Sequence, residues 1–446
     1  MFNLAETQKM FADKGIKFFL MSFVDMHGAP RAKLVPAECL ADVAGGAAGF
    51  AGFAVDGVGQ GPHDPDLSCV PQADSSVFPL PWKPGVAWIA GNLQGNGGDW
   101  RFCPRVLLSR ALADARAKGF TLMTGVEPEF FLVDRKADRT LGVADASDTL
   151  SKPCYGQLSL LRNADFLMTL MTYLNELGYG VYQNDHEDAN GQFEVNFAYS
   201  DCMTSADRYT LFKMAATEIA HAMGMVCTFM PKPFSNRAGT GSHFHISVAD
   251  GKNKNLFLDA KDKSGMGLSK TAYHFLAGIL EHARGLAALA APSVNSYKRL
   301  VVGRSLSGAT WAPAYITYGD NNRTAMVRIP YGRLELRLPD GACNPYLATC
   351  GIIAAGLDGV RRKLDPGPPN NTNLYDLTPE QVSEQGIGIL PQSLNEAVDA
   401  FASDAVLRAG VGENLAQEFI RLKRMEWVEY SRHVSAWETT RYLEFF

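Results

Sequence analysis

Several short runs of this chain alternate polar and apolar residues with a period of two. In VEPEFFLV, Glu127 and Glu129 fall on one side. In GQFEVNF, Gln192, Glu194 and Asn196 oppose Phe193, Val195 and Phe197. In SHFHISV, His243, His245 and Ser247 oppose Phe244, Ile246 and Val248. In RLELRLPD, Arg333, Glu335 and Arg337 oppose Leu334, Leu336 and Leu338. Successive strand residues point to opposite faces, so each run predicts a strand with one face toward a core and one polar face. Taken alone, any of them reads as a solvated sheet edge or face. Taken together they carry Glu, His and Arg where solvent faces usually carry Lys and Thr. Glutamates that face each other across a sheet repel unless a cation lies between them. Carboxylate oxygens with an imidazole suit Mg²⁺ or Mn²⁺ better than zinc.

Other patterns set the frame around these strands. Residues 4–15 have helical spacing. IKFFLMSFVDMHGAPRAKLVPA predicts a β-hairpin turning at His27-Gly28-Ala29-Pro30. Strands are expected around 77–93, followed by the turn-rich GNLQGNGGDW. A helix, RVLLSRALADARAKG, follows Pro104 and stops at Gly119. The expected fold class is therefore α+β, with a first domain over 1–103 and a second over 104–446. The apolar stretch Ala272 to Ala291 contains His274, Glu281, His282 and Arg284, so it predicts a buried helix and not a membrane span. The region after the loop DPGPPNNTN is helical.

Composition narrows the function. The net charge of −5 over 446 residues argues against broad nucleic-acid binding, which needs a basic surface. Anionic ligands must then be held by local arginines, and Arg299, Arg323, Arg328, Arg333 and Arg337 are close in sequence. The 8 cysteines form no C-x-x-C pair, which points to core packing in a reducing compartment. With no basic-then-apolar leader at the N-terminus, a cytoplasmic location is expected. Metal-binding carboxylates beside arginines imply phosphoryl transfer from a nucleotide. The chain has no P-loop, and GTGSHFH is a weak phosphate-loop signal because it runs into a strand.

VEPEFF, FMPKP with GTGSHFHIS, NSYKRL and RIPYGRLELRLPDGACNPY together resemble the glutamine synthetase family of class I type, over nearly the whole chain. The resemblance implies an N-terminal β-grasp domain and a catalytic domain with a curved antiparallel sheet surrounded by helices. It implies a homododecamer of stacked rings with active sites between subunits. One metal is assigned to Glu129, Glu187 and Glu194, the other to Glu127, His243 and Glu335. Nucleotide contacts map to His245, Ser247 and Arg333, and glutamate and phosphate contacts to Gly239, Arg299, Arg323, Arg328 and Arg337. Tyr155 and Asp56 match the amine pocket, Asp56 reaching it from a neighbouring subunit. The implied partners are ATP, L-glutamate and a small amine, joined through a γ-glutamyl phosphate.

Departures from the family pattern fall on the amine side. Val58 and Gly59 stand where glutamine synthetases have two serines, so one polar contact to ammonium is lost and Gly59 leaves room. The run GRSLSGATWAPAY is longer than its counterpart. Aligned on Ala-Pro, it places Trp311 where the family has a glutamate; the other alignment places Ser305 there. Neither side chain can take a proton from an amine. Ala238 replaces an asparagine, with Asn236 nearby. A less acidic, more apolar pocket suits an alkylamine, so the chain resembles the methylamine-using branch of the family. The competing readings are a glutamine synthetase using ammonium, a ligase for a larger amine, and an inactive scaffold or sensor. The last would show eroded metal ligands, yet every ligand position is filled. Tyr375, in TNLYDL, resembles a tyrosine loop that some bacterial glutamine synthetases adenylylate, but regulation is not expected from it.

Overall fold

The computed structural model describes residues 2–136, 140–302 and 312–446. Two sheets organise it, and both are built among the described residues.

The smaller sheet is seven-stranded and comes from the first hundred residues. Its strands are β1 (Phe18–Val24), β2 (Pro30–Pro36), β3 (Gly49–Phe50), β4 (Leu67–Pro71), β5 (Val77–Pro79), β6 (Val86–Gly95) and β7 (Gly98–Asp99). β1 and β2 form the expected antiparallel hairpin, and β1 also pairs β6 in parallel. Phe19, Met21 and Phe23 of β1 point inward, the period of two that the sequence shows. They pack with Phe11 of the helix Leu4–Asp13 and with Ile89, Leu93 and Val106. Asn3 caps that helix by accepting from the Glu6 amide at 3.2 Å.

The larger sheet is eleven-stranded and curled. It comprises β8 (Thr121–Arg135), β9 (Leu141–Val143), β10 (Val181–His186), β11 (Gln192–Phe197), β12 (Ser200–Asp201), β13 (Val226–Thr228), β14 (Ser242–Ala249), β15 (Tyr315–Asp320), β16 (Ala325–Ile329), β17 (Leu334–Leu336) and β18 (Gly388–Ile389). The main path runs β10-β11-β8-β14-β17-β16-β15-β18. The sheet is not wholly antiparallel as expected, because β15 and β16 pair in parallel. The expected strand over RLELRLPD is short, and Arg333 and Arg337 flank it.

Helices cover the apolar faces. Cys202–Ala222 starts at Asp201, whose side chain accepts from the Met203 and Thr204 amides. Pro345–Arg362 starts at Asn344, which caps its own helix and also donates to the Asp25 carbonyl beside the first hairpin. Helix Lys270–Glu281 lies against Pro345–Arg362 at Gly278, where a Cβ would sit 2.1 Å from the Ala355 carbonyl oxygen. Only glycine allows that approach. The apolar stretch from Ala272 is two helices, Lys270–Glu281 and Ala283–Ala290. The break falls at His282, whose ring reaches Asp404 at 2.6 Å and Asp358 at 3.1 Å. Among the described residues, no helix is long and apolar enough to cross a membrane.

Arg105 joins the two sheets. It is buried, bonds Asp207 through Nε and Nη2 at 3.1 Å each, and reaches Asp74 and Asn92 at 2.9 Å. Ser76 Oγ and Tyr346 Oη donate to the same Asp207 carboxylate at 2.8 and 2.7 Å.

Candidate active site

Strand register converts the alternating patterns into one polar surface. His243 lies opposite Glu127, and His245 opposite Glu335. Glu194 lies opposite Glu129 on one side and Asp185 on the other. Glu335 also lies opposite Arg328. Directly opposed residues have Cβ atoms about 4.5–5.5 Å apart, close enough to interact. Over this surface opens a cleft of about 360 Å³. Glu127, Glu129, Glu187, Glu194 and His243 line one part of it. Arg299, Arg323, Arg328 and Arg337 line another, with Gly239 and Tyr155 at the margin.

The carboxylates crowd. Three sets place one potential ligand atom per residue within 4.8 Å of each other: Glu127, Glu194 and His243; Glu127, His245 and Glu335; and Asp185, Glu187 and Glu194. This grouping differs from the family-implied one, because Glu129 stands outside it. Glu129 accepts from the Gln192 side-chain amide at 2.8 Å and the Gly241 amide at 2.7 Å, both through Oε2, and its Oε1 lies 3.7 Å from His243 Nε2. Burial raises the pKa of Glu194, helped by the charges of Glu127, Glu187 and Glu129. Burial raises Glu187 too, with Glu129 and Asp185 adding repulsion, and lifts Asp185 to about 6 with Glu127 and Glu129. Glu127 goes the other way: burial opposes its charge, but His243 and His245 outweigh that and hold it below the usual range. Burial and Arg337 lower the pKa of His243, a shift toward the neutral ring that ligates metals.

This donor set fits a divalent ion. Mutually repelling buried carboxylates gain from an intervening cation, and Asp185 Oδ1 and Gln192 Oε1 are buried with no hydrogen-bond partner. Oxygen ligands with imidazole favour Mg²⁺ or Mn²⁺ chemistry.

The arginines differ in freedom. Arg328 and Arg337 both bond Glu335, at 2.6 and 2.8 Å. Glu335 is fully buried; its burial is outweighed by Arg337, His243, His245 and Arg328, which hold its pKa at about 2. Arg299 donates to the Leu338 and Arg337 carbonyls at 3.0 and 2.9 Å. Gly239 packs so closely that a Cβ would lie 2.8 Å from Arg299 Cγ. Arg333 donates to His245 Nδ1 at 3.1 Å, and Ser247 follows on the same strand face. Thus the residues expected to hold a nucleotide adjoin the carboxylates.

The amine side is less complete within one chain. Tyr155 reaches the cleft in a left-handed conformation, φ 61°, its amide donating to the His186 carbonyl. Asp56 does not reach it: its side chain is 76% exposed, with His27 at 3.9 Å. Gly59 does not leave room as expected, because a Cβ there would meet the Phe102 ring at 2.4 Å. Ala238 lines the cleft, whereas Asn236 is exposed outside its lining. Trp311 and Ser305 lie outside the described residues. Sequence reasoning missed Asp185 and Gln183, which line the cleft. Extending the period of two backward from Glu187 through 185 and 183 would have found both.

Residues 101–442 match the family model of the glutamine synthetase catalytic domain. The chain belongs to the glutamine synthetase family. A glutamate–methylamine ligase of Methyloversatilis universalis is 54% identical to this family member, covering 99% of each chain. A glutamine synthetase of Rhizobium leguminosarum is 46% identical over 96% of each. A solved GmaS/ADP complex superposes with a TM-score of 0.91 at 45% identity, covering 98% of this chain and 99% of the other.

Proposed function

We propose that this chain is an ATP- and divalent-metal-dependent ligase that couples methylamine to the γ-carboxyl of L-glutamate, giving γ-N-methylglutamine, ADP and phosphate. The observation that carries this reading is the 54% identity, end to end, with a glutamate–methylamine ligase. The site chemistry agrees with it. Identity with glutamine synthetases keeps ammonium as the alternative acceptor.

Glu127, Glu129, Glu187, Glu194, His243 and Glu335 would hold the ions, Glu129 accepting from the Gly241 amide through Oε2 and keeping Oε1 3.7 Å from His243 Nε2. Bound there, Mg²⁺ or Mn²⁺ would neutralise charge on the phosphoryl group in transit. His245, Ser247 and Arg333 serve the nucleotide end. Gly239, Arg299, Arg328 and Arg337 serve glutamate, and Arg323, unlike the two arginines bonded to Glu335, faces the transferring phosphate. The γ-carboxylate oxygen attacks the terminal phosphorus of ATP and expels ADP. The amine nitrogen then attacks the acyl carbon, expels phosphate and loses a proton. Tyr155 walls the amine pocket, to which the family resemblance also assigns Trp311, and Asp56, exposed on its own chain, completes it from a neighbour.

The assembly reading is a dodecamer of stacked rings in the cytoplasm. Exposed Trp437, Leu443, Phe445 and Phe446 at the end of the chain supply apolar surface for subunit contacts. Residues 1–103 are read as the β-grasp domain and 104–446 as the catalytic domain. The cluster of Phe11, Phe19, Leu40 and Leu93 under the smaller sheet supports that division, although Val106 joins it and Val24, Met26 and Phe102 join the larger core.

An isotope experiment tests the route. With L-glutamate labelled by ¹⁸O in the γ-carboxyl, one labelled oxygen is expected in each phosphate released. Unlabelled phosphate accompanying γ-N-methylglutamine would exclude the acyl phosphate.

A further inference from the structure

Glu187 and Tyr155 approach the cleft on irregular backbone, not on the strands that carry Glu127, Glu129, Glu194 and His243. Glu187 follows β10 directly, and Tyr155 sits in a turn with left-handed backbone. A side chain delivered this way needs an outside support to hold its place. The structure shows one support behind both.

Asp148 is buried, and its carboxylate gathers the segment from 186 to 191. Oδ2 lies 2.7 Å from His186 Nε2 and accepts from the Gly191 amide at 2.7 Å. Oδ1 accepts from the Asn190 side chain at 3.0 Å. The His186 ring is fully buried, and its Nδ1 lies 2.8 Å from the Glu187 carbonyl. The carbonyl of His186 in turn accepts from the Tyr155 amide at 2.9 Å. Phe193 packs edge-on against the imidazole at 5.1 Å. One carboxylate therefore ties down the turn that presents Glu187, through His186 and Gly191. Through the same histidine it ties down the backbone of Tyr155. Asp148 itself is not among the residues lining the cleft.

We propose that Asp148 is a positioning residue for the ligase reaction, acting through His186 to set Glu187 for the metal and Tyr155 for the amine. This rests on the reading of Glu187 as a metal ligand and Tyr155 as a pocket wall. Supports of this kind change the affinity of the group they orient while leaving distant contacts alone. Arg299, held by the Leu338 and Arg337 carbonyls, is outside its reach, whereas the Gly239 carbonyl accepts from Gln192 next to Gly191 and is within it.

The test uses the full-length protein carrying Asp148→Asn, with Mn²⁺ binding followed by electron paramagnetic resonance and initial rates followed by phosphate release. Mn²⁺ affinity is expected to fall by about 10- to 100-fold, as for other outer supports of metal ligands. KM for methylamine should rise alongside, by more than KM for L-glutamate, whose Arg299 contact is held by other elements. Asn190→Ala removes one tether of Asp148, together with a bond to the Leu150 carbonyl, at a half-buried position and keeps the carboxylate, so it covers the case in which Asp148→Asn fails to fold. It should show the same split at smaller size. Wild-type Mn²⁺ affinity and methylamine KM in a folded variant would overturn the proposal. So would a fall in kcat with every KM unchanged, which is what a loss of folded fraction gives. Wild-type protein that binds no Mn²⁺ would instead overturn the reading of the cleft, and the proposal with it.

Discussion

Replacing Glu194 with glutamine is expected to lower kcat/KM for ligation by about 10³-fold or more and, at the same time, to stabilise the metal-free protein. The loss follows from the role assigned to it. A metal that supplies several kcal/mol of charge stabilisation accounts for about three factors of ten, since each factor is worth about 1.4 kcal/mol. The gain follows from the cluster. Glu194 is buried among Glu127, Glu187 and Glu129, and its pKa is raised. A carboxyl with a raised folded pKa contributes its stability below the ordinary value of 4.5. That contribution is lost as pH rises toward the folded value, because the unfolded state ionises first. The metal-free wild type should therefore lose stability between mildly acidic and neutral pH, and Glu194→Gln should lose less. Glutamine keeps an oxygen to accept the Asn196 side-chain hydrogen bond, now 2.8 Å. Thermal midpoints in chelator across that pH range check the claim. A midpoint lowered by the substitution at neutral pH would contradict it.

Arg105→Ala is expected to destabilise the chain by roughly 3–5 kcal/mol, the cost of leaving a buried charge without its partner. The guanidinium is the only cation bonded to Asp207 among the described contacts, while Ser76 and Tyr346 donate neutral hydrogen bonds to it. Removing Arg105 leaves the buried Asp207 carboxyl without its cation, and Asn92 and Asp74 lose a shared donor. The network ties β6 of the smaller sheet to the helices Cys202–Ala222 and Pro345–Arg362 that cover the larger one, so the substitution should loosen one layer against the other. Urea unfolding by fluorescence and by circular dichroism would read this as a lower midpoint, and separation of the two curves would locate the loss at the junction. A change under about 0.5 kcal/mol, as for ordinary surface positions, would mean that the network does not hold the sheets together.

Much of the metal side was legible because a strand displays its chemistry with a period of two. Glu127, Glu194, His243, His245 and Glu335 could be read that way before any register was known. What the sequence could not display is which of them meet. Glu129 meets the Gly241 amide 112 residues away through Oε2, while its Oε1 stays 3.7 Å from His243 Nε2 beside the carboxylate triads. The break at His282 depends on Asp358 and Asp404, 76 and 122 residues distant, so local periodicity showed one continuous helix. Gly59 looked like open space, since nothing nearby in sequence announces that Phe102 fills it. The parallel pairing of β15 with β16 was equally invisible, because alternation carries no direction. Asp185 was legible and missed: it shares a strand face with Gln183 and precedes Glu187 by two.

The central claim is the identity of the amine. Phosphate release should be measured with saturating ATP and L-glutamate while methylamine or ammonium is varied, on the same preparation at the same pH. The account predicts a higher kcat/KM for methylamine by about tenfold or more, the scale on which one methyl group is sensed in an apolar pocket. An equal or higher kcat/KM for ammonium would contradict it and return the chain to the glutamine-forming branch of its family.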